Sequence, residues 1–249
     1  MAQGPTYKVK FRRRREGKTN YYRRRRLLLS RLPRLVVRKT NTGMIVQVVN
    51  ASVTGDMTVA SAVSSELSNH GWTTGGGNTP VSYLTGLLAG LRAKSRGVEK
   101  AVLDIGLNPP VKGSKIYASL AGALDGGLNI AHDPDVLPDE ARLSGEHIVT
   151  AYNHFAESAG DSPMFSKVGK KKTTVTGIPK QFKKVKKALL AIPKADLKKK
   201  KKRKATPVKK AAAKKPVKKA AEKPAEKAPR AVPRKPKPKK LLARRGKKR

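Results

Sequence analysis

Between Phe11 and Arg26, two blocks of four arginines, Arg12, Arg13, Arg14, Arg15 and Arg23, Arg24, Arg25, Arg26, flank Lys18, Thr19, Asn20 and the adjacent Tyr21 and Tyr22. A guanidinium is always charged, and its planar fork fits a phosphate with two hydrogen bonds. A phenol ring offers a flat face on which an unstacked base or a sugar can lie. Together they supply the chemistry of an arm that reads RNA. Lys8 and Lys10 precede the blocks, and Arg31, Arg34, Arg38 and Lys39 continue the charge beyond them. A bare arginine run would equally suit a solvated tail or a localisation signal. The interleaved tyrosines favour recognition.

The charge is partitioned along the chain. Of 249 residues, 58 are basic and 16 acidic, a formal net charge of +42 that calls for a polyanionic partner. Residues 1–40 carry 15 basic and 1 acidic side chains, residues 41–165 carry 7 and 12, and residues 166–249 carry 36 and 3. A slightly acidic body therefore lies between two basic arms, a segregation foreign to an enzyme with a merely basic surface. The chain divides accordingly into a basic RNA-binding arm at 1–33, an α/β body at 34–163 and a basic C-terminal extension at 164–249.

In the extension, Lys170, Lys171, Lys172, Lys180, Lys183, Lys184, Lys186 and Lys187 are candidate RNA contacts. Phe182, Val185 and Leu189 fall on one side of the stretch Lys180 to Ala191, predicting a short amphipathic helix that forms against a partner. Beyond Pro193 the chain is lysine, alanine and proline in short irregular units. Such a segment cannot bury enough apolar area to offset a backbone entropy of roughly 1–2 kcal/mol per residue, which predicts disorder or partial helix. The Lys-Ala-Pro pattern also resembles the tails of linker histones, so a DNA-compacting protein is the competing class. The body, however, lacks a winged-helix pattern.

No cysteine is present, excluding a disulfide framework and thiolate metal sites. No apolar run approaches the ~20 residues that span a bilayer, and the N-terminus lacks the apolar core of a signal peptide. The expectation is a soluble, cytoplasmic chain without membrane partner, metal, cofactor or homo-oligomer.

The elements that must position the arm are legible in the body. Arg34–Lys39 and Met44–Val49 read as strands around a turn at Asn41-Thr42-Gly43, and Met57–Val63 as a third strand. Thr79 and Pro80 suit a helix start, with Leu84, Leu87, Leu88 and Leu91 on one apolar face and Gly86 and Gly90 leaving another bare for close packing. Ala101–Leu107, apolar on both faces except Asp104, predicts a central strand covered by helices. A helix carrying Ile116, Leu120, Ala123 and Leu124 and another carrying Ile148, Val149, Tyr152 and Phe155 complete a β-β-β-α-β-α order with a final helix.

Other groupings offer weaker chemistry. Asp56, Asp104 and Asp125 could form a two-metal nuclease triad, although lone aspartates near strand ends more often serve turns. His70, His132, His147 and His154 fall in no metal-ligand spacing, and His132-Asp133-Pro134-Asp135 reads as turn and capping chemistry. Gly75-Gly76-Gly77 lacks the lysine and hydroxyl of a nucleotide-binding loop and reads as a flexible loop, with a phosphate cradle as the sharper alternative.

The series Phe11 to Tyr22, the strand Arg34-Leu35-Val36-Val37-Arg38, the stretch Asn78-Thr79-Pro80 with Tyr83 to Gly90, and Ala101 to Leu107 together resemble the archaeal branch of the universal L-eighteen family of large-subunit ribosomal proteins. The resemblance covers roughly residues 1–160. It implies a non-catalytic protein of the central protuberance with a ribonuclease-H-like mixed α/β body. It implies partnership with 5S ribosomal RNA, with large-subunit ribosomal RNA and with the other 5S-associated ribosomal protein. By position it maps the RNA-contacting arm onto Lys8 to Arg26 and a basic first strand onto Arg31, Arg34, Arg38 and Lys39. The extension from residue 166 is longer and richer in lysine than the resemblance leads one to expect.

Overall fold

The computed structural model describes residues 4–159, 175–193 and Leu197. The arm contains two short helices, α1 (Arg12–Arg15) and α2 (Tyr21–Leu29). Strands β1 (Arg34–Lys39), β2 (Met44–Ala51) and β3 (Asp56–Val63) then form an antiparallel meander, as three successive strands with short connections predict. Helix α3 (Thr79–Ser95) leads to β4 (Val102–Asp104) and α4 (Lys115–Asp125). Helices α5 (Glu140–Ser144), α6 (Glu146–Ala159) and α7 (Ile178–Leu190) complete the described part.

The sheet has the order β3-β2-β1-β4, with β4 parallel to β1. The expectation of a central strand at 101–107 is corrected here: β4 has three residues and stands at the end of the sheet. Its outer side makes only the start of another pairing, a parallel bridge between Lys100 and Asn129. The stretch is apolar on both faces because Leu103 and Ile105 pack against the core and also line a cleft beneath the arm.

Leu35, Val37, Met44, Val46, Val48, Ala60 and Ala62 form the face of the sheet that packs into the core with α3 and α4. A bulge between Val48 and Val49 shifts the register, so that Val49 pairs with Thr58 on the opposite face. Helix α3 is buried at every residue from Thr79 to Gly90, more than the single apolar stripe of its sequence implies. Its cap is Asn78, whose side chain accepts from Val81 N at 3.2 Å, and not Thr79. A Cβ on Gly86 would meet Ser119 O at 2.0 Å, and one on Gly122 would meet Tyr83 O at 2.0 Å. The two helices thus touch backbone to backbone, which only glycine permits.

The amphipathic segment at 180–191 does form a helix, α7, and its partner is the chain's own body. Ile178, Phe182, Val185 and Leu189 are buried, and the Phe182 and Tyr83 rings lie 5.4 Å apart. Tyr83 donates to the Asp125 carboxylate, and burial together with that carboxylate pushes its phenol far up, so it stays a donor. The triple glycine is also packed more tightly than expected: a Cβ on Gly76 would come within 2.9 Å of Thr42 O. That loop is braced on the β1–β2 turn. Lys170 to Lys172 and the chain beyond Pro193, Leu197 excepted, lie outside the described residues.

Candidate nucleic-acid interface

Helix α2 owes its existence to local rules that the arginine content obscures. Asn20 caps it, its side chain accepting from Tyr22 N at 3.1 Å and Arg23 N at 3.2 Å. Arginine and leucine are good helix formers and fill the rest. The helix lies across the face of the sheet that α3 and α4 leave open. Between them runs a cleft of about 830 Å³, lined on the sheet side by Val36, Gln47, Val49 and Thr58, and on the arm side by Tyr21, Arg23 and Leu27.

An alternating chain of charges ties the arm down. Arg24 donates from both terminal nitrogens to Asp56, at 2.8 Å each. Asp56 also accepts from Arg34 at 2.7 Å, Arg34 donates to Asp104 at 2.8 Å, and Asp104 accepts from Arg38 at 3.0 Å. The Arg24 hydrogen bonds, with the nearby Arg34 charge, hold the Asp56 carboxyl below the usual carboxylate range. Gly106, at φ +67°, donates its N–H to Asp104 at 2.9 Å and lets the Arg38 guanidinium lie within 3 Å of where a Cβ would stand.

This network relocates several residues expected to touch RNA. Arg34 is 3% exposed, with both terminal nitrogens engaged by carboxylates, so it is a buried structural residue rather than a surface contact. Arg24 and Arg38 are partly committed in the same way. The nuclease reading of Asp56 and Asp104 fails on the same observation, because guanidinium groups occupy the positions that metal ions would need. Asp125 lies elsewhere, bonded to Tyr83 and Lys186. Among the described residues no cluster of histidine and acidic side chains could hold a metal, and no helix is long and apolar enough to cross a membrane.

What remains outward is a mixed basic and aromatic face. Arg12, Arg13, Arg14, Arg15, Arg23, Arg25, Arg26, Arg31, Lys8, Lys10, Lys18 and Lys39 are exposed. Phe11 and Tyr21 pack ring to ring at 5.1 Å, and the Arg14 guanidinium sits 5.3 Å from the Tyr22 ring centre. Tyr22 is 71% exposed, whereas Tyr21 is half-buried against the cleft. Arg13 donates to Thr19 at 2.8 Å, closing the loop between α1 and α2. Asn20 and Thr19 thus serve to shape the arm.

The family described as ribosomal large subunit proteins 60S L5 and 50S L18 matches residues 5–99 and 93–133. The large ribosomal subunit protein uL18 of Korarchaeum cryptofilum is 51% identical over 166 residues, 67% of this chain and 85% of that protein. This chain belongs to that family. The uL18 proteins of Methanothermobacter thermautotrophicus and Haloarcula marismortui are 46% identical over 192 residues and 57% identical over 148 residues. The former match covers 98% of that protein but 76% of this chain, and the latter covers 79% and 59%. As an archaeal-type member of the L5 and L18 family, the chain is a structural, non-enzymatic constituent of the large ribosomal subunit. Residues 5–133 include the arm, the ion-pair network and all four strands, so the family match falls on this interface.

The helical order of the arm and the burial of Arg34 go beyond what the sequence pattern predicts. Asn20 directly before a run of good helix formers is a sequence signal for the former. Nothing local signals the latter, since the partners of Arg34 lie 22 and 70 residues away.

Proposed function

We propose that the arm and the open sheet face bind 5S ribosomal RNA and anchor it to large-subunit ribosomal RNA in the central protuberance, beside the other 5S-associated ribosomal protein. The observation that carries this reading is the arm's construction. One arginine of α2, Arg24, is tied to Asp56, and the rest of the helix is thereby held as a rigid rack, with Arg23, Arg25 and Arg26 outward next to the exposed Tyr22. Preorganisation of this kind lowers the entropy lost on binding. Phosphates would take Lys8, Lys10, Arg12 to Arg15, Lys18, Arg23, Arg25, Arg26, Arg31 and Lys39, while Tyr22 would carry a splayed base.

The test is competition between a 5S RNA transcript and random duplex DNA for the full chain at about 0.15 M salt, where the Debye length is near 8 Å. The expected preference for 5S RNA is on the order of a thousandfold. Equal affinity would overturn the reading in favour of sequence-blind polyanion binding.

A further inference from the structure

We propose that the outward face of α7 is a second RNA-binding surface, suited to the phosphate backbone of a base-paired RNA segment other than the one held by the arm. The proposal rests on the reading of the arm as an RNA site and assigns the chain a second RNA partner. Ile178, Phe182, Val185 and Leu189 are buried and recur at the spacing of one helix face. Lys180, Lys183, Lys184 and Lys187 recur at i, i+3, i+4 and i+7 and are all exposed. At 100° per residue the two sets centre about 180° apart. The helix has no acidic residue.

The fold decides which lysines are available. Gln181 anchors the helix by donating to Gly71 O at 2.8 Å and Thr73 Oγ1 at 2.9 Å. Lys186 is drawn aside, 3.4 Å from Asp125 and 4.9 Å from the Tyr83 ring centre. With its apolar face fixed on α3, α7 presents the other four lysines away from the body. The stripe from Lys180 to Lys187 is roughly 10 Å long, the reach of a few successive phosphates.

Two features separate this surface from the arm. Helix α7 packs on α3, which covers one face of the sheet, whereas the arm and its cleft lie on the other face, that of Val36, Gln47 and Thr58. A sheet and a helix layer, each about 10 Å thick, put the two beyond one Debye length. The chemistry differs as well. The arm offers aromatic rings to unpaired bases, while α7 offers only ammonium groups on flexible stems, which neutralise phosphate without reading bases. Such a surface suits a duplex backbone.

Lysine acetylation of the full chain, read residue by residue by mass spectrometry, separates this stripe from the other lysines. The chain would be labelled free, with a 5S RNA transcript, with a 20-base-pair RNA duplex, and with both. The 5S transcript should protect Lys8, Lys10 and Lys18 but leave the α7 stripe reactive. Adding the duplex should lower reactivity at Lys180, Lys183, Lys184 and Lys187 roughly fivefold, and replacing the four by glutamine should reduce the slope of log affinity for duplex against log salt by about 3 to 4. A stripe protected by 5S RNA alone, a stripe reactive throughout, an unchanged slope, or equal protection by polyglutamate would each overturn the proposal. Failure of 5S RNA to protect Lys8, Lys10 and Lys18 would count against the arm reading instead, and the duplex-only sample would still decide this one.

Discussion

Asp56→Asn should unlock the arm while weakening the body, and the two effects can be sized separately. The substitution removes the carboxylate charge and one of the two acceptor oxygens shared by Arg24, in a pair of side chains 30% and 31% exposed, and Arg34, which is 3% exposed. A partly exposed pair of good geometry contributes about 1 kcal/mol. Replacing the charged acceptor of a buried guanidinium by a neutral amide costs a further ~1–3 kcal/mol, moderated because Arg34 keeps Asp104. The sum is about 2–4 kcal/mol in urea unfolding. Arg24→Gln, which touches only the exposed half, should cost about 1 kcal/mol or less. RNA binding should move differently: random RNA should bind somewhat more tightly, because a carboxylate has left the cleft, while the preference for 5S RNA should shrink because α2 is no longer held. The pH dependence comes from the sign of the shift. Because Arg24 holds the Asp56 carboxyl below its ordinary range, its contribution is complete above that range and is lost as pH falls through the depressed value. The stability gap between wild type and Asp56→Asn should therefore stay constant from neutral pH to about pH 5 and close below about pH 4. A variant within about 0.5 kcal/mol of wild type at neutral pH, or with undiminished selectivity, would refute the reasoning.

Three further outcomes are expected. Gly122→Ala places a Cβ at 2.0 Å from Tyr83 O, a clash between two backbones, and should cost about 3 kcal/mol or more in thermal unfolding, whereas Gly177→Ala, with nothing within 4 Å, should stay within about 0.5 kcal/mol of wild type. Tyr22→Ala should weaken 5S RNA binding by about 1–3 kcal/mol in filter binding with the salt slope unchanged, since a stacked base releases no counterions; a large change of slope would point to a lost phosphate contact instead. Phe182→Ala, at a residue 7% exposed, should cost about 3 kcal/mol and expose α7 to limited proteolysis; retained protection would mean that Ile178, Val185 and Leu189 suffice to dock it.

The parts of this molecule legible in its sequence are those governed by neighbours along the chain. The meander is one, since short turns join three strands that pair in chain order. The helices α3 and α4 are another, though the cap moved by one residue from Thr79 to Asn78, both of them capping types, because only the backbone geometry selects between them. The misreadings share a cause in contacts distant in sequence. The stretch at 101–107 is apolar on both faces, which matches a buried central strand until one knows that the chain at residue 129 provides only a single bridge beyond it. Likewise Arg34, Arg38 and Arg24 look like any other basic residue of the arm and first strand. Two aspartates contributed by β3 and β4 sort them, taking three guanidiniums into the fold and leaving the remainder to the solvent. A slightly acidic body is therefore more than an inert spacer between basic arms. Its carboxylates decide which arginines brace the arm and which are left for phosphate, so charge reversal at Asp56 or Asp104 should perturb RNA selectivity more than removal of any single exposed arginine.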